Sequence, residues 1–423
     1  MQAGRGGVCE GGGGWDLHRT PMADDAQALA ELQREILWLR QQLGIRAGQV
    51  SAGEPHEERG AGDASTSDDG GGSSGSNGST ANGSTAPLLS RRMEWERKRA
   101  SPTGSQQTEV SLLQFNVLAD GLCGLSPTLG DFSRPPKEVL DWGYRGPLVV
   151  GEMLRHNADV ITAQEVDHFD DTLMPALERA GYAGLFHKKP CSPCLAFCEL
   201  EDGCALFYKT SRFELVSYQA FQYSDRRGEE DEILNQGAQI ALLRLTATGQ
   251  LLIVANTHLK ASKNAKGEAV RAMEAQQLFD TVATVKAMAE RNYGVASIPF
   301  LVAGDFNGTP TEDEGGDVCF KTCQAHPLSA RSAYPTTLDQ PELYTTWKVR
   351  TKRGIPRATE SAGAAAADES DTCNYIDYIW YGGGLAPPVG RLSIPDGDTI
   401  GADRLPSASW PSDHLSILAV FEL

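Results

Sequence analysis

Leu301-Val302-Ala303-Gly304-Asp305-Phe306-Asn307 decides how this chain is read. An apolar run too short for a helix ends in glycine, and a carboxylate and a carboxamide follow two residues apart. In a strand, positions i and i+2 share a face, so Asp305 and Asn307 point the same way. A buried strand that delivers two polar groups at its end builds a site. Taken alone, Gly-Asp-x-Asn is equally a turn capped by an Asx side chain. Four other stretches of the chain repeat the arrangement, an apolar strand followed by residues suited to a metal or a phosphate.

Working outward, strand-like runs recur at Val110–Leu118, Asp159–Val166, Cys204–Tyr208, Ile240–Leu245, Leu251–Thr257, Pro299–Phe306, Tyr375–Trp380 and Leu415–Phe421. A helix fits Val270–Glu290, with Ala275, Leu278, Val282 and Val285 on one stripe. Further helices fit around Leu148–His156 and Thr172–Ala180. Many strands with interspersed helices predict an α/β layered domain centred on two packed sheets. Its globular part begins near Glu109, and the domain spans 101–423. Residues 355–371 read as a loop insertion between two strands.

The N-terminal hundred residues read differently. Residues 1–20 are Gly-rich and expected to be disordered. Within 21–46 a short helix is expected from Asp24 to Leu43, where Leu29, Leu32, Ile36, Leu39 and Leu43 step by three and four as a coiled-coil seam would. It leaves open self-association, a protein partner, or docking on the main domain. Residues 47–100 offer little to bury and read as a disordered linker, with Arg91–Arg99 as a solvated basic lead-in.

The totals narrow the class. The 423 residues carry a net charge of −18, of which residues 101–423 hold −15. A long polyanion gains its affinity from many Lys and Arg contacts, so this balance leans towards a compact phosphate-bearing substrate or one neutralised by a divalent ion. No apolar run reaches transmembrane length and the N-terminus lacks a signal-peptide layout, so a soluble, cytoplasmic protein is expected, with organellar targeting left open. Nine scattered cysteines do not make a secreted disulfide framework. Cys191 and Cys194 form a CxxC without a second knuckle at zinc spacing, and free thiols in a Pro-kinked loop are the expectation.

Taken in order, the polar groups at strand ends are Asn116, Glu165, His258, Asp305, Asn307, Asp377 and the pair Asp413-His414. This ordered set resembles the endonuclease/exonuclease/phosphatase superfamily. The resemblance implies a four-layer α/β sandwich that hydrolyses phosphate esters with Mg²⁺, for which Mn²⁺ can substitute. Lys189–Leu195, Asp202–Phe207, Tyr344–Arg350 and Leu405-Pro406 ahead of Ser412-Asp413-His414 resemble the nocturnin branch of that family, a relative of the carbon-catabolite-repressor-type deadenylases. Those deadenylases typically carry leucine-rich repeats, and no stretch here has that period.

The resemblance assigns roles. Glu165 follows an apolar run, where a lone carboxylate is costly unless paired or metal-bound, and it is the expected Mg²⁺ ligand. Asn116 offers a carbonyl to the metal shell or an amide to phosphate. Asp305 orients or deprotonates the attacking water, and Asn307 holds phosphoryl oxygens. Asp377 orients His414 as in hydrolase triads, so that a protonated His414 stabilises developing charge. Asp413 is expected in the metal shell or on the water, and His258 on a phosphate oxygen. Lys189, Lys260 and Arg350 match positions that line a pocket for nucleotide phosphates. Ser262 stands where the branch has Arg, which removes a bidentate contact that Lys263 or Arg271 would have to replace.

Three functions compete. A Mg²⁺-dependent hydrolase of the 2′-phosphate of NADP(H) leads. A 3′-to-5′ exoribonuclease acting on the poly(A) end of RNA uses the same centre. An inactive binding module would show decay of the polar set, and here every position is filled.

Overall fold

A computed structural model describes residues 87–96, 108–123, 131–225, 232–311, 316–335, 343–351 and 369–423. The expected Gly-rich segment, the helix from Asp24 to Leu43, most of the linker and residues 355–368 lie outside the described residues. Helices α1 (Trp142–Arg155), α2 (Met174–Arg179), α3 (Ala265–Tyr293) and α4 (Val318–Ala325) flank two sheets. No described helix is long and apolar enough to cross a membrane.

Two parallel crossovers organise the chain. Strand β2 (Glu109–Asn116) runs through α1 into the parallel β3 (Val160–Val166). Strand β8 (Leu251–His258) runs through α3 into the parallel β9 (Phe300–Asp305). Parallel neighbours need such a crossover, and each therefore ends both of its strands at one edge of its sheet. The first sheet adds β1 (Met93–Trp95), β4 (Tyr182–Lys188), β5 (Gly203–Lys209), β14 (Gly390–Leu392) and β15 (Ile417–Glu422), in the order β1-β14-β15-β2-β3-β5-β4. The second adds β6 (Phe213–Asp225), β7 (Glu232–Leu245), β10 (Arg331–Ser332) and β13 (Asp377–Gly382), in the order β10-β13-β9-β8-β7-β6. A separate hairpin pairs β11 (Thr346–Thr351) with β12 (Glu369–Asn374).

Alternation along β2 shows the layering. Leu112 packs with Val160 and Leu206 against the second sheet, while Leu113 and Phe115 pack towards α1 and α2. On the far side, Ala275, Leu278, Val282 and Val285 of α3 are buried, as their spacing predicted. Each such large side chain contributes about 1.5–3 kcal/mol of burial. The result is the four-layer α/β sandwich expected. Asn264 caps α3 by accepting from the Gly267 N–H, and Gly294, at φ 64°, ends it.

Four expectations change. Helix α1 starts at Trp142, ahead of Leu148, because the Asp141 carboxylate accepts the Gly143 N–H and caps it there. Residues 369–371 belong to β12, so the insertion ends before them. Strands β4, β6 and β11 lack the clean apolar alternation that marked the others. Finally, the described residues 87–96 are not the linker and solvated basic lead-in expected there. Met93–Trp95 pairs with β14, and the Arg91 side chain is fully buried. Its Nε donates to Ser393 O at 2.8 Å, one Nη donates to Ser416 O at 2.6 Å, and its guanidinium lies 5.7 Å from the Trp410 ring. A planar group with five donors is tolerated inside when carbonyls and a ring face meet it, and those partners come from residues some 300 positions on.

Candidate active site

Register sets the polar residues side by side. At the end of β9, Asp305 stands opposite His258 of β8 on one flank and Asp377 of β13 on the other. In the facing sheet, Asn116 ends β2 opposite Gln164, the residue before Glu165. The Asn116 carboxamide joins the two sheets: its Nδ2 donates to Glu165 Oε1 and to Asp305 Oδ2, each at 3.0 Å. His414 Nδ1 lies 2.8 Å from Asp377 Oδ2, and its Nε2 lies 3.8 Å from Asp305 Oδ2. His258 Nε2 lies 3.5 Å from that same oxygen. The Asn307 N–H donates to Asp305 Oδ1 at 2.9 Å, and its Nδ2 donates to Leu259 O at 3.1 Å. Asn116, Glu165, His258, Asp305, Asn307, Asp377 and His414 thus form one centre, buried except for the half-buried Glu165.

The local backbone is bent to make this possible. Glu165 has φ 54° and Asn307 φ 52°, in the left-handed region. The β3–β5 ladder slips between Ala163 and Val166, which takes Glu165 out of strand alternation. Such positions cost about 1–3 kcal/mol and persist where surrounding contacts over-determine them. Gly304 is required by space, since a Cβ there would stand 2.1 Å from Thr257 O.

Charges at the centre shape one another. Burial, reinforced by Asp377, pushes the Asp305 carboxyl up to about 7 against the pull of His414 and Asn116. Burial opposes charge on His414, but Asp377, with Asp305 and Asp413, outweighs it and raises the imidazole to about 9. His258 goes the other way: burial, then Lys189 and His414, holds it well below the ordinary histidine range. The Asp305 flank therefore carries one cationic and one neutral imidazole at neutral pH.

Cations line the rim. Lys189 Nζ lies 2.5 Å from Asp202 Oδ2, and the other Asp202 oxygen accepts from Ser192 Oγ at 2.5 Å. Arg350 lies over Phe132, its Cζ 3.9 Å from the ring centre, and 4.0 Å from Asp413. Lys260 is tied through its main chain, its N–H donating to Glu274 Oε2 at 2.8 Å. The Asp413 carboxylate pairs with Lys348 and faces Arg350; Lys348, then His414 and Arg350, hold it ionised against burial, so it links the rim cations to the central imidazole. The CxxC cysteines are free thiols, Cys191 exposed and Cys194 buried, and the described groups that could hold a metal contain no cysteine.

Several residues escaped the sequence reading. Gln114 and Gln164, both fully buried, exchange amide hydrogen bonds of 2.6 and 2.7 Å between β2 and β3, and Gln114 also donates to Asp377 Oδ1 at 3.1 Å. Thr345 Oγ1 accepts the Asp377 N–H at 3.1 Å. Their signal was present: Gln114 shares a strand face with Asn116, and Lys348 shares one with Arg350. Amides inside an apolar strand must find partners, and here they underpin the Asp377–His414 pair.

The donor set also fits a divalent cation. Ligand atoms of Glu165, His258 and Asp305 all lie within 4.8 Å of one another. Two carboxylates suit an oxygen-seeking ion, and the buried His258 Nδ1 has no hydrogen-bond partner.

With this geometry established, the comparisons with known proteins are direct. The model of the endonuclease/exonuclease/phosphatase family matches residues 113–414. The chain belongs to that family. It is 33% identical to the nocturnin of Xenopus laevis over 331 residues, which cover 76% of this chain and 75% of that protein. A CCR4-Not complex 3′-5′-exoribonuclease subunit from Yarrowia lipolytica is 29% identical over 73% of this chain and 48% of its own. Among solved structures, the human nocturnin catalytic domain with bound sulfate anion superposes with a TM-score of 0.57 at 28% identity, covering 80% of this chain and 99% of that one. The matched span runs from β2 to His414 and so contains every residue of the central cluster.

Proposed function

We propose that the chain is a Mg²⁺-dependent phosphoric-ester hydrolase that removes the 2′-phosphate of NADP(H) by direct attack of water, giving NAD(H) and phosphate. The observation that carries this reading is Asp305: one carboxylate oxygen lies 3.5 Å from the His258 imidazole and 3.8 Å from that of His414, and accepts from Asn116 beside the Glu165 carboxylate. A carboxylate so placed can orient an attacking water and take its proton. Asn307 and His258 present donors to phosphoryl oxygens, while Asn116, whose Nδ2 donates to Glu165 and Asp305, holds those two carboxylates together. His414, held charged by Asp377, offsets the negative charge that builds as the P–O bond to the ribose breaks. Mg²⁺ held by Glu165, with Asp305 beside it, would screen the phosphate and polarise that bond. Among the central residues there is no Ser or Cys nucleophile, so water is the attacking group.

The dinucleotide is favoured by similarity to nocturnins, by the net charge of −18 and by the basic positions Lys189, Lys260 and Arg350. One observation favours the rival poly(A) exoribonuclease: Ser262 removes a phosphate contact, and Arg271, one of its two substitutes, is spent on Glu268 and on main-chain carbonyls. Phosphate release from NADP(H) is measured beside AMP release from labelled poly(A), each with and without Mg²⁺. Mg²⁺-dependent turnover of NADP(H) is expected. Poly(A) shortening without NADP(H) turnover reverses the ranking, and a Glu165→Ala protein that loses no phosphatase or nuclease activity relative to wild type restores the binding-module reading.

A further inference from the structure

Helix α3 begins with a charged cluster that points away from solvent. Glu268, Arg271 and Glu274 lie one turn apart and are buried to 2% exposure or less. Arg271 sends Nε and one Nη to Glu268 Oε2, at 2.9 and 2.6 Å. Its other Nη donates to two main-chain carbonyls of the preceding loop, Lys260 O at 2.9 Å and Ser262 O at 2.6 Å. Glu274 accepts the Lys260 N–H, so both polar groups of the Lys260 main chain end on this helix. Space agrees with charge: a Cβ at Gly267 would stand 2.0 Å from Ser262 O, so the loop lies directly on the first turn. One residue earlier, Leu259 is tied to the centre, its N–H on Asp305 O at 2.9 Å and its carbonyl on Asn307.

We propose that Arg271 and Glu274 are positioning residues, which clamp the Lys260 main chain between helix α3 and the Asp305–Asn307 strand end so that the lysine meets a phosphate of the nucleotide substrate. This rests on the hydrolase reading given above. Burying an arginine and two carboxylates is expensive, and a salt bridge alone does not recover the cost. A cluster that satisfies loop carbonyls and an amide gains specificity of position. A carbonyl at residue 260 held by a bidentate-capable guanidinium cannot be held equally by a lysine point charge. Burial pushes the Glu274 carboxyl up to about 8, so a neutral glutamine imitates its state at neutral pH.

The test is a double-mutant cycle on the full chain, reading KM and kcat for NADP(H) and, in parallel, for oligo(A). Arg271→Ala should raise KM about tenfold with kcat little changed, the size expected for charge-assisted hydrogen bonds. Lys260→Ala should do the same, and the double variant should be no worse than Lys260→Ala alone, since the clamp acts through that lysine. Glu274→Gln should keep the wild-type KM while Glu274→Leu loses it. Multiplying KM effects in the double variant, or equal losses in kcat and KM for Arg271→Ala, overturn the inference. A wild type that turns over neither substrate overturns the hydrolase reading itself, a distinct result. Circular dichroism melts screen for misfolding, and Arg271→Lys, expected to rescue only partly, supplies a second variant should Arg271→Ala fail to fold.

Discussion

The centre and its rim hold their charges by different means. In the centre the working groups hold one another: Asn116 bridges Glu165 and Asp305, and Asp377 holds His414. At the rim each cation leans on a neighbour outside the centre: Lys189 on Asp202, Arg350 on Phe132, Lys348 on Asp413, Lys260 on helix α3. A mutually satisfied network fails as a unit, because removing one member leaves buried partners unpaired. A rim cation is partly solvated, and its loss weakens binding without dismantling the chemistry.

Four measurements break or sharpen that contrast. Glu165→Ala should lower kcat by about a thousandfold at saturating Mg²⁺ and also lower the thermal melt, since the buried Asn116 Nδ2 loses one of its two acceptors. Asp377→Asn should cost about a hundredfold in kcat, because the imidazole loses its orienting carboxylate. Since Asp377 is the main influence raising His414 to about 9, the basic limb of the rate profile should also move to lower pH in that variant. Arg350→Ala should raise KM about tenfold and change kcat little, as a rim contact would. A kcat loss as deep as that of Glu165→Ala would place Arg350 in the centre and erase the distinction. The smallest effect concerns stability. His414 rises from 6.5 to about 9 on folding, so its contribution is fully present below pH 6.5 and is lost as pH rises through 9. Urea midpoints of wild type and His414→Gln should therefore differ at pH 6 and converge by about pH 9.5.

The same contrast explains what could be read in advance. Asn116, Glu165, His258, Asp305, Asn307, Asp377 and His414 each follow or open a short apolar run, and strand ends are visible in a linear string. Their supports were only half visible. Gln114 shares a strand face with Asn116, but its partner Gln164 is fixed only once the strands are paired, and Asp202 looks like a turn residue until Lys189 lies on it. The Lys348 and Arg350 partners of Asp413 were not visible either, because they lie more than sixty residues earlier, on β11. Arg91 was misread as solvated because its carbonyl partners, Ser393 and Ser416, flank strands far along the chain.

Sequence alone determined the two-sheet α/β architecture, the long crossover helix α3 and the identity of the polar residues at strand ends. Those depend on apolar periodicity and local chemistry, which neighbours in the chain express directly. Only the tertiary structure decided which carboxylate faces the centre, which cations are clamped at the rim, and that the domain includes Arg91. Those depend on strand register and on contacts between distant segments, whose energies no local pattern records.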